Sequence, residues 1–125
     1  MKKLLLLPLV FISCLCFAQD AKEIIGKPIK IGNLLVAEND FSNIMNWDDA
    51  KAACSKLGKG WRLPTKSELY ILYKNKETIG GFAGFSYWSS TEGNDVMAWK
   101  EEFSNGFYGG RYKSLRFSVR AVKSL

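Results

Sequence analysis

Met45–Thr65 reads MNWDDAKAACSKLGKGWRLPT, and the fold is decided in this stretch. Asn46 can accept a backbone N–H at a helix start, with Asp48 and Asp49 in the first turn, where the helix dipole favours acidic residues. Trp47, Ala50, Ala53, Cys54 and Leu57 then recur at steps of three and four and form one apolar stripe. Gly58 supplies a left-handed cap that ends the helix, so about Trp47 to Leu57 is predicted helical. The Trp-Arg-Leu-Pro corner that follows cannot continue a helix. It opens instead on Thr65-Lys66-Ser67-Glu68, a capping box in which Thr65 bonds forward and Glu68 reaches back.

Outward from this core, a second helix is predicted over about Lys66 to Lys74, with Leu69, Leu72 and Tyr73 on its inner face. Upstream, Gln19–Lys27 is a polar lead-in, and Pro28–Val36 reads as a strand or hairpin around Gly32-Asn33. Downstream, Thr78–Phe85 is an irregular glycine-rich loop, and Tyr87–Thr91 has strand composition. Met97, Trp99 and Phe103 alternate with Ala98, Lys100 and Glu102, the pattern of a half-buried strand. Asn105-Gly106 is a strong hairpin signal. A last strand sets Leu115, Phe117, Val119 and Ala121 against an outward row of Arg116, Ser118 and Arg120. Two short helices packed on a twisted antiparallel sheet make an α+β domain.

The chain begins with Lys2 and Lys3 and an apolar run from Leu4 to Phe17, shorter than the roughly 20 residues that span a bilayer. The segment reads as a secretory signal, residues 1–18, cut after Ala18. A second reading is a lipoprotein acylated on Cys14. Residues 19–30 are then a lead-in to a single domain over 31–125. The cut removes two lysines and lowers the formal net charge from +6 to +4, which suits anionic glycans, envelope lipopolysaccharide or acidic proteins outside the cell rather than nucleic acid. Two of the three cysteines leave with the signal, so Cys54 has no intramolecular partner. Histidine is absent, which removes the usual general base and the commonest metal ligand.

Trp47-x-x-Ala50 with Cys54, Gly60-Trp61-Arg62-Leu63-Pro64-Thr65, Glu68-Leu69, Tyr87-Trp88-Ser89-Ser90-Thr91, Ala98-Trp99, Phe103, Gly106 and Val119-Arg120 together resemble the Lcl C-terminal domain family. The resemblance covers about Ile31 to Lys123 and implies a C-type lectin-like fold in an exported module that binds glycans or other surface ligands. Family members often carry a second cysteine close to the final Val-Arg, where Ala121 stands here. The disulfide that the resemblance would suggest therefore cannot form, and Cys54 is expected to pack as a small buried hydrophobe.

Motif residues Trp47, Cys54, Trp61, Arg62, Pro64, Glu68, Trp88 and Trp99 are read as structural, with Arg62 pairing with Glu68 and the tryptophans in the core. Ser89, Ser90 and Thr91 lack a base to activate them and read as strand hydroxyls. Glu92, Asn94 and Asp95 are a weak calcium candidate, three donors where the ion takes six to eight, and the sugar-binding triplets of calcium-dependent lectins are absent. The ligand-binding candidates are Phe107, Tyr108, Arg111, Tyr112, Lys113, Arg116 and Arg120, aromatic faces for sugar rings interleaved with cations for sulfate, phosphate or carboxylate. The Gly80–Phe85 loop is a further contact surface. The expected function is a non-catalytic, adhesin-like binding module for anionic glycans or a protein partner. Its alternatives are an assembly subunit of a surface appendage and an enzyme of formylglycine-generating-enzyme-like fold, whose active-site cysteines one remaining cysteine cannot supply.

Overall fold

The structure is a computed structural model and describes residues 21–125. The signal and lipoprotein readings lie outside the described residues. Residues 21–25 are helical. The elements that follow are β1 (Ile29–Ile31), β2 (Leu34–Val36), α1 (Trp47–Lys56), β3 (Trp61–Arg62), α2 (Lys66–Lys74), α3 (Lys76–Ile79), β4 (Ser86–Glu92), β5 (Met97–Glu102), β6 (Tyr108–Tyr112) and β7 (Val122–Ser124). They build two antiparallel sheets, one in the order β1-β2-β7-β3 and one a meander β4-β5-β6. The architecture is α+β.

The local signals act where they were read. The Asn46 side chain accepts from the Asp49 amide and starts α1. Both halves of the Thr65/Glu68 capping box form and start α2. Gly32-Asn33 turns β1 into β2, with Ile29 opposite Val36. Gly58 behaves differently from expectation. Its φ of 142° is positive but far from the left-handed helical region near +57°. The helix ends instead on the Leu57 amide, which reaches back to the carbonyls of Cys54 and Ser55. The expected loop at Thr78–Phe85 also begins inside the short helix α3.

The two motifs of the central stretch and of β4 exist to hold each other. Trp47 Nε1 donates to the Ser89 carbonyl at 2.8 Å. The Ser90 amide donates to the Pro64 carbonyl at 2.7 Å, and the Lys66 amide donates to Thr91 Oγ1 at 2.9 Å. Trp88 Nε1 donates to the Met45 carbonyl at 2.8 Å. Each buried indole thus satisfies its N–H while its rings fill the core, which for a large side chain stabilises by roughly 1.5–3 kcal/mol. Trp47, Ala50, Cys54, Trp61, Leu63 and Trp88 share one core cluster. Leu34, Val36, Leu69, Leu72, Tyr87 and Phe103 share a second. Ala121 lies in the same cluster as Cys54, and burial pushes the Cys54 thiol up to about 12.

Three further expectations are corrected. Residues 115–121 do not form a half-buried strand; they join neither sheet and make isolated bridges at Phe117 with Met45 and Ser118 with Tyr87. Neighbours on both sides bury Ser118 and Arg120 as well as Val119 and Ala121, so alternation no longer separates inside from outside. The strand that does pair is β7, placed between β2 and β3. In β5 the phase is reversed over Met97–Lys100, where Ala98 and Lys100 are buried while Trp99 is half-buried under the Lys66 ammonium; Glu101 and the inward-read Phe103 are buried as well, so strict alternation ends there. Trp99 is therefore not a core residue. β1 spans Ile29–Ile31, and Ile24 and Ile25 pack on the core before it.

Candidate functional site

The β5–β6 hairpin carries most of the expected binding residues and divides them between two faces. Its register sets Glu101 opposite Tyr108, Lys100 opposite Gly109, Ala98 opposite Arg111 and Met97 opposite Tyr112. The turn is held by the Glu102 amide donating to the Phe107 carbonyl and by Gly106 at a φ of 79°. Side chains alternate along each strand, so Lys100 and Arg111 share one face while Glu101, Tyr108 and Tyr112 share the other.

On the first face, a cleft of about 510 Å3 is lined by Lys100, Glu102, Asn105, Phe107, Tyr108 and Arg111. It adjoins, at Glu102, a hollow of about 400 Å3 formed by Ile44, Phe85, Arg116 and Phe117. Glu102 is held by the hydroxyls of Ser86 and Ser104, which donate to its two oxygens at 2.7 and 3.2 Å. Among the described residues Lys100, Arg111 and Arg116 form no ion pair. Burial lowers the proton affinity of Lys100, and the nearby Arg111 charge lowers it further against the pull of Glu102. Phe85 and Phe107 stand at the rim, 69% and 72% exposed.

Sequence reasoning placed Phe107, Tyr108, Arg111, Tyr112 and Arg116 on the surface, and all five are exposed. Lys113 is engaged inside the fold: its Nζ donates to Glu92 at 2.6 Å and to the Asp95 carbonyl at 2.9 Å, and lies 4.5 Å from the centre of the Trp47 ring. Arg120, expected to face outward, is fully buried and leaves the candidate surface. Its Nε donates to Asp40 at 2.6 Å, Nη1 to the Ala37 carbonyl at 3.1 Å and Nη2 to the Gly80 carbonyl at 3.2 Å. Its guanidinium also lies 4.0 Å from the centre of the Phe82 ring. Tyr87 donates to the same Asp40 carboxylate, so this arginine fastens the Gly80–Phe85 loop, the Asp40 segment and β4 together.

Two of the three calcium candidates, Glu92 and Asn94, are committed elsewhere. Glu92 pairs with Lys113, whose hydrogen bond holds the carboxyl below its ordinary range. Asn94 Oδ1 accepts from the amides of Val96 and Met97 at 2.9 Å each. Arg62 takes its expected place, bidentate to Glu68 at 2.7 and 3.0 Å, and its hydrogen bonds lower the Glu68 carboxyl more than burial raises it. Ser89 Oγ donates to the Trp99 carbonyl as an ordinary strand hydroxyl. Lys100, Lys66 and Tyr70 were missed as candidate binding groups, and so was the buried Glu101. Composition gave Lys100 no partner and offered Glu101 only as a helper for calcium; the register that sets them opposite Gly109 and Tyr108 brings them to the hairpin's two faces.

Solved structures share this arrangement. The snake venom toxin convulxin superposes with a TM-score of 0.62 at 13% identity, over 80% of this chain and 96% of its own. EMS16, described as an antagonist of the collagen receptor integrin α2β1, gives 0.60 at 14% identity, over 78% and 97%. Botrocetin gives 0.58 at 15% identity, over 80% and 98%. At these identities the likeness shows the fold, which is C-type lectin-like. No curated protein sequence matches significantly. The Lcl C-terminal domain matches over residues 20–123, nearly all of the described chain, and the protein belongs to that family.

Proposed function

We propose that this chain is a non-catalytic recognition module, acting outside the cell, whose Lys100–Arg111–Arg116 face binds an anionic glycan. The carrying observation is that Lys100 and Arg111 share one sheet face, that their cleft adjoins at Glu102 the hollow lined by Arg116, and that among the described residues none of the three forms an ion pair. Three cations around the single carboxylate of Glu102 leave an excess of positive charge that favours an incoming sulfate, phosphate or carboxylate, and a guanidinium can bind such a group through two parallel hydrogen bonds. Phe85 and Phe107 offer ring faces for the sugar between the charges. A non-catalytic role is supported by the missing histidine and by the burial of Cys54, whose thiol is pushed up to about 12. Because Glu92 and Asn94 are engaged within the fold, binding is expected to be independent of calcium. Action outside the cell rests on the leader-like first eighteen residues.

Retention on heparin with elution by a salt gradient, with and without calcium, tests the reading. Replacing Arg111 and Arg116 by alanine and Lys100 by methionine should weaken binding roughly tenfold or more, since charge-assisted hydrogen bonds contribute about 1.5–3 kcal/mol each. Unchanged retention by the triple variant would remove this face from consideration.

A further inference from the structure

The opposite face of the same hairpin carries a second, differently made hollow. Between α2 and strands β5 and β6 lies a groove of about 600 Å3, lined by Lys66, Ser67, Tyr70, Ile71, Glu101 and Tyr108. This falls within the roughly 300–1,000 Å3 of small-ligand sites. Its floor is Glu101, only 3% exposed, whose Oε2 is buried without any hydrogen-bond partner. Leaving a buried carboxylate oxygen unmet is costly, so native proteins rarely do it without a use for the group. Tyr87, directly across β4 from Glu101, cannot help because its hydroxyl donates to Asp40. Nor does Lys66, whose ammonium sits 3.7 Å from the centre of the Trp99 ring and 5.5 Å from that of Tyr108.

The walls narrow the choice of ligand. Tyr70 and Tyr108 are 49% and 62% exposed, so each keeps ring surface within a partner's reach beside the lysine ammoniums, Lys74 at 6.0 Å and Lys66 at 5.5 Å from the ring centres. A cationic ligand would meet the Lys66 ammonium already seated on the aromatic wall, and an anionic one would meet Glu101. A neutral molecule whose groups both donate and accept suits the mixture of carboxyl, ammonium and the Ser67 hydroxyl. Apolar C–H faces between such groups suit tyrosine rings. A pyranose has both properties.

We propose that the Glu101 groove is a binding site for a neutral pyranose unit, with ring hydroxyls donating to Glu101 and the sugar face resting on Tyr70 and Tyr108. The groove lies across the sheet from Lys100 and Arg111, so it stands whether or not that face binds polyanions. Burial also raises the Glu101 carboxyl to about 7, consistent with a group that awaits donors.

The test is titration of 15N-labelled protein at pH 8 with the methyl pyranosides of glucose, galactose, mannose and N-acetylglucosamine, followed by amide shifts. At least one glycoside should shift Ser67, Tyr70, Glu101 and Tyr108. Tyr70→Ala should weaken that binding about fivefold through loss of the stacking face. Glu101→Gln should weaken it about tenfold through loss of the charged acceptor. Both variants should keep the native amide spectrum elsewhere and the native heparin retention. Shifts with no glycoside, shifts confined to other surfaces, or affinity unchanged in both variants would overturn the proposal. So would a response to N-acetyl-lysine amide in place of the sugars, which would make the groove a site for a basic peptide side chain. Heparin retention without glycoside shifts would sink the groove and leave the basic face standing.

Discussion

Arg120 shows how far a single side chain can depart from the pattern around it. It is fully buried, bonds Asp40 and two backbone carbonyls, and stacks on Phe82. Removing one partner of a buried ion pair leaves an uncompensated charge, at about 3–5 kcal/mol. Arg120→Met should therefore destabilise by that amount in urea unfolding at pH 7. The double variant with Asp40→Asn should lose less than the two single variants summed, because they share one interaction. Glu101 makes the opposite kind of prediction. Its carboxyl is raised to about 7 by burial, from an ordinary 4.5. Below pH 4.5 both folded and unfolded chains carry the proton. Between 4.5 and about 7 the unfolded chain ionises while the folded one stays protonated, so stability falls as pH rises and levels off above 7. Glu101→Gln lacks this loss and should become the more stable protein by on the order of 2 kcal/mol at pH 8, with little difference at pH 4. Thermal melts of both proteins across that range check it.

At the scale of elements, the legible parts were those specified within a few residues. Asn46 and Thr65 start their helices through hydrogen bonds three residues long, so their spacing carries the whole instruction. Thr65→Ala should cost about 1 kcal/mol. Faster amide exchange at Ser67 and Glu68 would accompany it, because α2 then lacks its cap. What the sequence concealed depends on partners far along the chain. Arg120 looks outward by alternation, yet its acceptor Asp40 is eighty residues away. The phase of β5 is fixed by β4, β6 and α2 packing on it, and Ala98 faces the core because Trp88 and Trp47 already fill it. Trp99 reads as core by composition, but its position over α2 leaves it as a seat for the Lys66 ammonium. The candidate site shared that fate. Phe107, Tyr108, Arg111, Tyr112 and Arg116 were visible as an exposed basic and aromatic group. Their separation onto two faces, and the inclusion of Lys100 and Glu101, followed only from the register.

Over the whole molecule, one pair of motifs and one terminal strand connect everything else. The bonds from Trp47, Ser90 and Lys66 join α1, the proline corner and β4, so the first half of the domain is tied to the meander before any binding residue is placed. The first sheet is tied differently. β7 lies between β2 and β3, with Leu34 opposite Ser124 and Trp61 opposite Lys123. Deleting Val122–Leu125 should therefore abolish the cooperative melt and the near-ultraviolet dichroism of the tryptophans, although both capped helices and the β5–β6 turn remain encoded. The keystone of this small vault is thus laid after both of the strands that it joins. A nascent chain lacks the strand that joins its earliest paired segments until Val122–Ser124 has been synthesised, which leaves a long interval in which it can be threaded, escorted or degraded as an open polymer.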